Sequence, residues 1–90
     1  MPVARAIELS KNILVYILEN ENTFNRFLLE TGIDPNEIKE CVNNRAFMSG
    51  VIRFIYSIES DLVIYCKNNS IEPREIAVAL HVLEGEVVEY

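Results

Sequence analysis

Apolar side chains recur every three to four residues along almost the whole chain, which is the period of one face of a helix. Over residues 4–19, Ala6, Leu9, Ile13, Tyr16 and Ile17 share one face, and Ile7, Leu14 and Leu18 widen it. Arg5, Glu8, Asn12 and Glu19 take the other, so the segment is predicted to be an amphipathic helix with a broad apolar arc. Asn20-Glu21-Asn22-Thr23 breaks the pattern and offers side-chain caps for a second helix, in which Phe24, Phe27, Leu28 and Thr31 follow the same spacing. Gly32 ends it as a left-handed glycine would. A short third helix uses Ile38, Cys41 and Val42 and is closed by Asn43-Asn44, either of which can cap the fourth.

From Ala46 to Ile58 more than half the circumference is apolar: Phe47, Met48, Val51, Ile52, Phe54, Ile55, Tyr56 and Ile58. This helix is therefore predicted to be the one most surrounded by others. Gly50 within it costs about 1 kcal/mol against alanine, which predicts close packing against a neighbouring backbone. Leu62, Tyr65 and Cys66 mark a fifth helix, with Asn69-Ser70 standing where Gly32 stood. A sixth turns Ile76, Ala79, Leu80 and Leu83 inward and stops at Gly85, leaving the tail Glu86-Val87-Val88-Glu89-Tyr90.

One stretch occurs twice. Ile33-Asp34-Pro35-Asn36-Glu37-Ile38 returns 38 residues on as Ile71-Glu72-Pro73-Arg74-Glu75-Ile76. In both, an acid stands at the N-cap and proline at the first helical position, where its missing N–H has no partner to lose. Glu37 and Glu75 fall where a carboxylate can reach back to the cap and meets the positive end of the helix dipole. The flanking isoleucines have the spacing of a hydrophobic staple. The same offset pairs Leu14 with Ile52, Leu18 with Tyr56, Glu21 with Glu59, Phe24 with Leu62, Phe27 with Tyr65, Leu28 with Cys66 and Val42 with Leu80. The expected fold is thus all-α: a compact bundle of about six short helices in one domain spanning residues 1–90, with an internal repeat over 8–44 and 45–83 and a tail at 84–90.

A chain of 90 residues supports one modest core, burying about 60 to 65% of the surface the unfolded polypeptide exposes. Half the residues are hydrophobic and the mean hydropathy is +0.14, too apolar for a disordered tail. The longest apolar run, Ile13 to Leu18, is too short for a membrane span or a signal peptide. Fourteen acidic against eight basic side chains leave a net charge of −6, which repels nucleic acid and anionic membranes. Cys41 and Cys66 stand among apolar helical positions without a C-x-x-C pairing, so two buried thiols in a reducing cytoplasm are expected.

Glu19, Phe24, the Arg26-Phe27-Leu28 run, Thr31-Gly32-Ile33-Asp34-Pro35 and the later Phe47, Val51, Phe54, Glu59 and Leu62 carry a resemblance. Over roughly residues 4–83 the chain resembles a bacterial family of small helical proteins known only as a domain of unknown function, number three-five-seven-two. The resemblance implies a helical fold and brings no catalytic residues with it. The Val-Val-Glu-Tyr ending departs from the family pattern.

The candidate chemistry is thin. His81 is the single histidine, with Glu84 its one obvious companion, too few for a metal site. Lys39 near Cys41 is the only hint of thiol activation. Ser10, Ser49 and Ser57 sit inside helices, and no Gly-rich phosphate loop exists. Glu19, Glu21, Glu59 and Asp61 can gather at the two related helix junctions. Of the basic set Arg45, Arg53, Lys67 and Arg74, the first two fall in residues 41–58, which hold no acid and are locally positive, but without the amides of a DNA-recognition helix. There is also an apolar surplus: Val78 and Val82 form a ridge opposite the inward stripe of the last helix, and Val87, Val88 and Tyr90 lie beyond it.

The expectation is a cytoplasmic, non-enzymatic protein–protein interaction module without catalytic residues, cofactor or metal. It contacts an unknown protein partner or a second copy of itself through Val78, Val82, Val87, Val88 and Tyr90, and no nucleic acid or membrane. The alternatives are a small-molecule binder or enzyme with a pocket between the halves near Arg53, Glu21 and Glu59, and, more weakly, a DNA-binding regulator.

Overall fold

The structure, a computed structural model, describes residues 1–85, and these form six α-helices and one 3-10 turn, with no strand among the described residues. The helices are α1 (Val3–Glu19), α2 (Glu21–Thr31), α3 (Ile38–Cys41, entered from the 3-10 turn Pro35–Glu37), α4 (Arg45–Ser57), α5 (Glu59–Asn69) and α6 (Pro73–Glu84). All six segments predicted from the periodicity are present.

The ends of these helices follow from a few side chains. Gly32 is left-handed (φ 69°) and its N–H donates to the Leu28 carbonyl, closing α2. At the equivalent place in the second half, Ser70 takes the same conformation (φ 52°) and closes α5 on the Cys66 carbonyl. The last residues of the two helices also act alike: Thr31 Oγ1 donates to the Phe27 carbonyl at 2.8 Å, and Asn69 Nδ2 to that of Tyr65 at 2.9 Å. Asn44 caps α4 by accepting from the Phe47 N–H.

The twice-met helix opening behaves as expected in its apolar part. Ile38 and Ile76 are buried, and Ile33 and Ile71 pack half-buried against the core. Its polar part is asymmetric. Asp34 accepts from the Asn36 N–H at 2.9 Å, whereas Glu72 makes no side-chain cap, and neither Glu37 nor Glu75 reaches back to its cap among the described residues. Proline alone sets the start of α6. Asn20 also differs from expectation: it does not cap α2 but turns its amide back to the Tyr16 carbonyl, 2.7 Å away, finishing α1.

α6 lies along both α1 and α4, which also pack on each other, so these three helices enclose the centre. α2 rests on α1, and α5 on α4. Ala6, Ile13, Ile17, Met48, Val51, Ile52, Ile55, Ile76 and Ala79 are completely buried. The Ser10 hydroxyl, also buried, is satisfied by the Ala6 carbonyl at 2.8 Å. Phe27 meets Phe54 and Phe47 edge to face, at centroid distances of 5.2 and 6.1 Å, and so joins α2 to α4. The radius of gyration is 12.6 Å, close to the ~12 Å of a globular chain of this length.

Three packing expectations are corrected. Gly50 does not approach a backbone: a Cβ there would have nothing within 4 Å, because this side of α4 faces a surface hollow. Leu18 and Tyr56, although equivalent, are both exposed, at 44% and 43%, rather than in the core. Cys66 is buried as expected, but Cys41 is only half-buried, being the last residue of α3; both are free thiols.

Candidate functional site

The broad apolar arc of α1 exceeds what the core can cover. Its innermost row, Ala6, Leu9, Ile13 and Ile17, is buried against α4 and α6. A second row, Lys11, Leu14, Val15 and Leu18, lies at helical spacing along one flank and forms a wall of an open groove. Phe24 of α2 contributes to its lining, and Pro35, Ile38, Lys39 and Val42 supply the wall across from α1. The groove has a volume of about 480 Å³. Leu14 is 4% exposed, but Val15 is 49% exposed. The opening exists because α3 makes a single turn and has no extensive contact with α1.

The charges on the groove are of one sign. Lys11 and Lys39 are its only charged lining residues, one from each side, and neither is in an ion pair among the described residues.

Of the acids expected at the helix junctions, Glu19, Glu21 and Glu59 are exposed, and Asp61 alone is engaged. Asp61 Oδ1 accepts from Tyr16 Oη at 2.7 Å and from Thr23 Oγ1 at 3.3 Å, tying α1, α2 and α5 together. Burial, reinforced by the hydrogen bond to Asp61 and its negative charge, pushes the Tyr16 phenol up to about 12. Tyr65, packed edge to face on Tyr16 at 5.8 Å, is also raised, mainly by burial. Burial, with a smaller effect from Glu75, raises the Cys66 thiol, which keeps it protonated and unreactive.

Two of the four basic residues singled out, Arg45 and Arg53, are taken up within the fold, while Lys67 and Arg74 are exposed. Arg45 Nε donates to the Leu83 carbonyl at 3.2 Å and Nη2 to that of Val82 at 2.8 Å, capping the end of α6. Arg53 pairs with Glu84. A hollow of about 370 Å³ between the end of α2 and α4, lined by Glu30, Thr31, Gly50, Arg53, Phe54 and Ser57, is the feature nearest to the pocket expected between the halves. Its arginine is already paired, and Glu21 and Glu59 are not part of it. A third hollow, of about 890 Å³, lies beside Arg5, Ile7, Glu8 and Asn43 at the start of α1 and shares Lys11 with the groove.

His81 is exposed on α6, and its expected companion Glu84 is held by Arg53. Among the described residues no three His, Cys, Asp or Glu side chains gather to hold a metal ion, and no helix is long and apolar enough to cross a membrane.

Of the five residues expected at an interface, two lie on α6. Val78 is 39% exposed, whereas Val82 packs half-buried against the core. Val87, Val88 and Tyr90 lie outside the described residues. The sequence pattern does not predict the groove itself: it assigns Leu18 to the apolar arc and Lys39 to Cys41, and gives Lys11 and Val15 no role; the excess width of the α1 arc beside a one-turn helix is the available signal.

No curated protein and no solved structure matches the chain. A family model does, over residues 3–86, which is nearly the whole sequence and includes every element that builds the groove. The chain belongs to the family described as "Protein of unknown function (DUF3572)".

Proposed function

We propose that the protein is a non-enzymatic protein–protein interaction module whose contact surface is the groove between α1, α2 and α3. The observation that carries this reading is a continuous apolar trough with exposed walls, in which half-exposed Val15 and Leu18 flank buried Leu14 and Ile38. Apolar surface arranged around a concavity, instead of scattered singly, gains free energy when another molecule covers it. Stable interfaces bury about 800 Å² on each partner, so the trough would form the centre of such a contact and its polar flanks the rim. Val78 on α6 is a separate, isolated apolar position, and self-association through the last helix rests on it and on the tail.

Photocrosslinking in the native cell tests the proposal. A benzophenone amino acid replaces Leu18 in the groove or Val63 on the exposed side of α5, and adducts are identified by mass spectrometry. A defined polypeptide adduct from position 18 that position 63 does not give is the expected result. No polypeptide adduct at 18, or the same adducts from both positions, overturns it.

A further inference from the structure

We infer that the occupant of the groove is an acidic amphipathic helix of a partner protein, an inference that rests on the interaction reading above and names its partner class. The first ground is charge. The chain carries 14 acidic and 8 basic residues, yet the only charged side chains lining this apolar trough are two lysines. Lys11 stands on the α1 wall and Lys39 on the α3 wall, and neither is neutralised by an ion pair among the described residues. A segment seated on the apolar floor between them meets an ammonium group on each side. Carboxylates flanking an apolar stripe satisfy both, and lysines or arginines there are repelled.

The second ground is the shape of the corner, which in the other half of the molecule is flanked by a longer third helix. In the second half, the positions equivalent to the groove belong to α4, α5 and α6, and there α6 runs on to Glu84 packed along α4. α3 stops at Cys41 and has no extensive contact with α1, which α6 packs only on its other side. The α1 wall is a row at i, i+3, i+4 and i+7, from Lys11 to Leu18, about 10 Å long at 1.5 Å per residue. That length takes two turns of a helix laid against it, the anchoring pattern of helix-in-groove recognition. That half also offers an example of charge matching between the two helices: Arg53, which stands where Val15 stands in α1, is paired by Glu84 of α6.

Fluorescence anisotropy with the full chain tests the inference. Two labelled peptides of about 16 residues carry identical leucines at i, i+3/i+4 and i+7 and differ only in flanking glutamates or lysines. The glutamate peptide is expected to bind at least about tenfold more tightly than the lysine peptide. In Lys11→Glu/Lys39→Glu that preference reverses. In Leu18→Ser both peptides weaken. All three residues are exposed, and a melting curve for each variant verifies the fold.

Equal affinity for the two peptides, or no binding of the glutamate peptide, overturns the inference. So does saturable binding of decanoate without the peptide, which makes the site one for a small amphiphile. Concentration-dependent dimerisation of the chain abolished by Leu18→Ser makes the occupant a second copy and overturns it as well. A polypeptide crosslink at position 18 combined with peptide failure leaves the interaction reading standing and removes only the acidic helix; the absence of any such crosslink removes both.

Discussion

The two halves of the chain start from nearly the same plan and finish one corner differently. Behind α4 the third helix of the unit, α6, is three turns long and sits between α1 and α4 with Ile76, Ala79 and Leu83 in the core. Behind α1 the corresponding helix, α3, is a single turn, and of its four residues only Ile38 is buried. The wall residues have diverged accordingly. Lys11, Val15 and Leu18 correspond to Ser49, Arg53 and Tyr56; Leu18 and Tyr56 are equally exposed, and the rows differ most where Val15 is apolar and Arg53 is charged. In one half the third helix is part of the core, and in the other it is not, which leaves a concave surface.

The largest test of this difference is a pair of truncations at equivalent isoleucines. Ile76 is fully buried beneath α6, and Ile76→Ala should lower unfolding free energy by about 3 to 4 kcal/mol in urea titrations followed by circular dichroism. Ile38, 7% exposed at the edge of the groove, should cost about 2 kcal/mol, the low end for such a truncation. Equal costs would mean that α3 holds the core as firmly as α6 and would erase the distinction.

A smaller effect is expected at Tyr16, whose counterpart in the second half is Phe54. Tyr16→Phe makes the halves alike and removes the bond to Asp61, for a loss of about 1 kcal/mol. Its pH signature is more specific. The folded-state phenol titrates near 12, above an ordinary tyrosine, so the folded chain holds its proton where the unfolded chain releases it. That stabilisation is fully present below about pH 10 and is lost as pH rises through 12. Tyr65 and Cys66, also raised, add to the alkaline fall, and Tyr16→Phe should make it shallower without abolishing it. An unchanged pH profile of stability would count against the Asp61 tie.

The smallest contrast lies at the left-handed helix ends. Gly32→Ala places a Cβ at φ 69° and should cost about 1 kcal/mol, whereas Ser70→Gly relieves the same conformation and should gain a few tenths to about 1 kcal/mol. Thermal melts resolve the two signs, and the same sign for both would show that Ser70 is not the functional counterpart of Gly32.

Much of this architecture is legible in the residues. Glycine and proline impose backbone angles locally, so Gly32, Pro35, Pro73 and Gly85 mark boundaries irrespective of what lies nearby. Asn44 likewise finds its cap within three residues. The unread features depend on partners distant in sequence. Asn20 is the local exception: its exposed amide donates four residues back to the Tyr16 carbonyl instead of capping α2. Gly50 looked like a point of close approach, yet the end of α2 stays clear of it. Periodicity assigns Leu18 to the apolar side of α1 without saying whether anything covers that side. The groove is a missing contact, and a missing contact leaves no residue of its own in a sequence. Arg53 and Arg45 illustrate the converse, since their cationic stretch resembled a binding surface until Glu84 and the α6 carbonyls were seen to occupy it.

The central position of α6 also bears on how the polypeptide reaches its native state during synthesis. Five helices leave the ribosome before the one that fills the space between the first and the fourth, and until then the apolar flanks of α1 and α4 have no permanent neighbour. Stalling the nascent polypeptide before Pro73 should therefore yield a species that chaperones retain and proteases cut, while release beyond Glu84 allows rapid, cooperative closure.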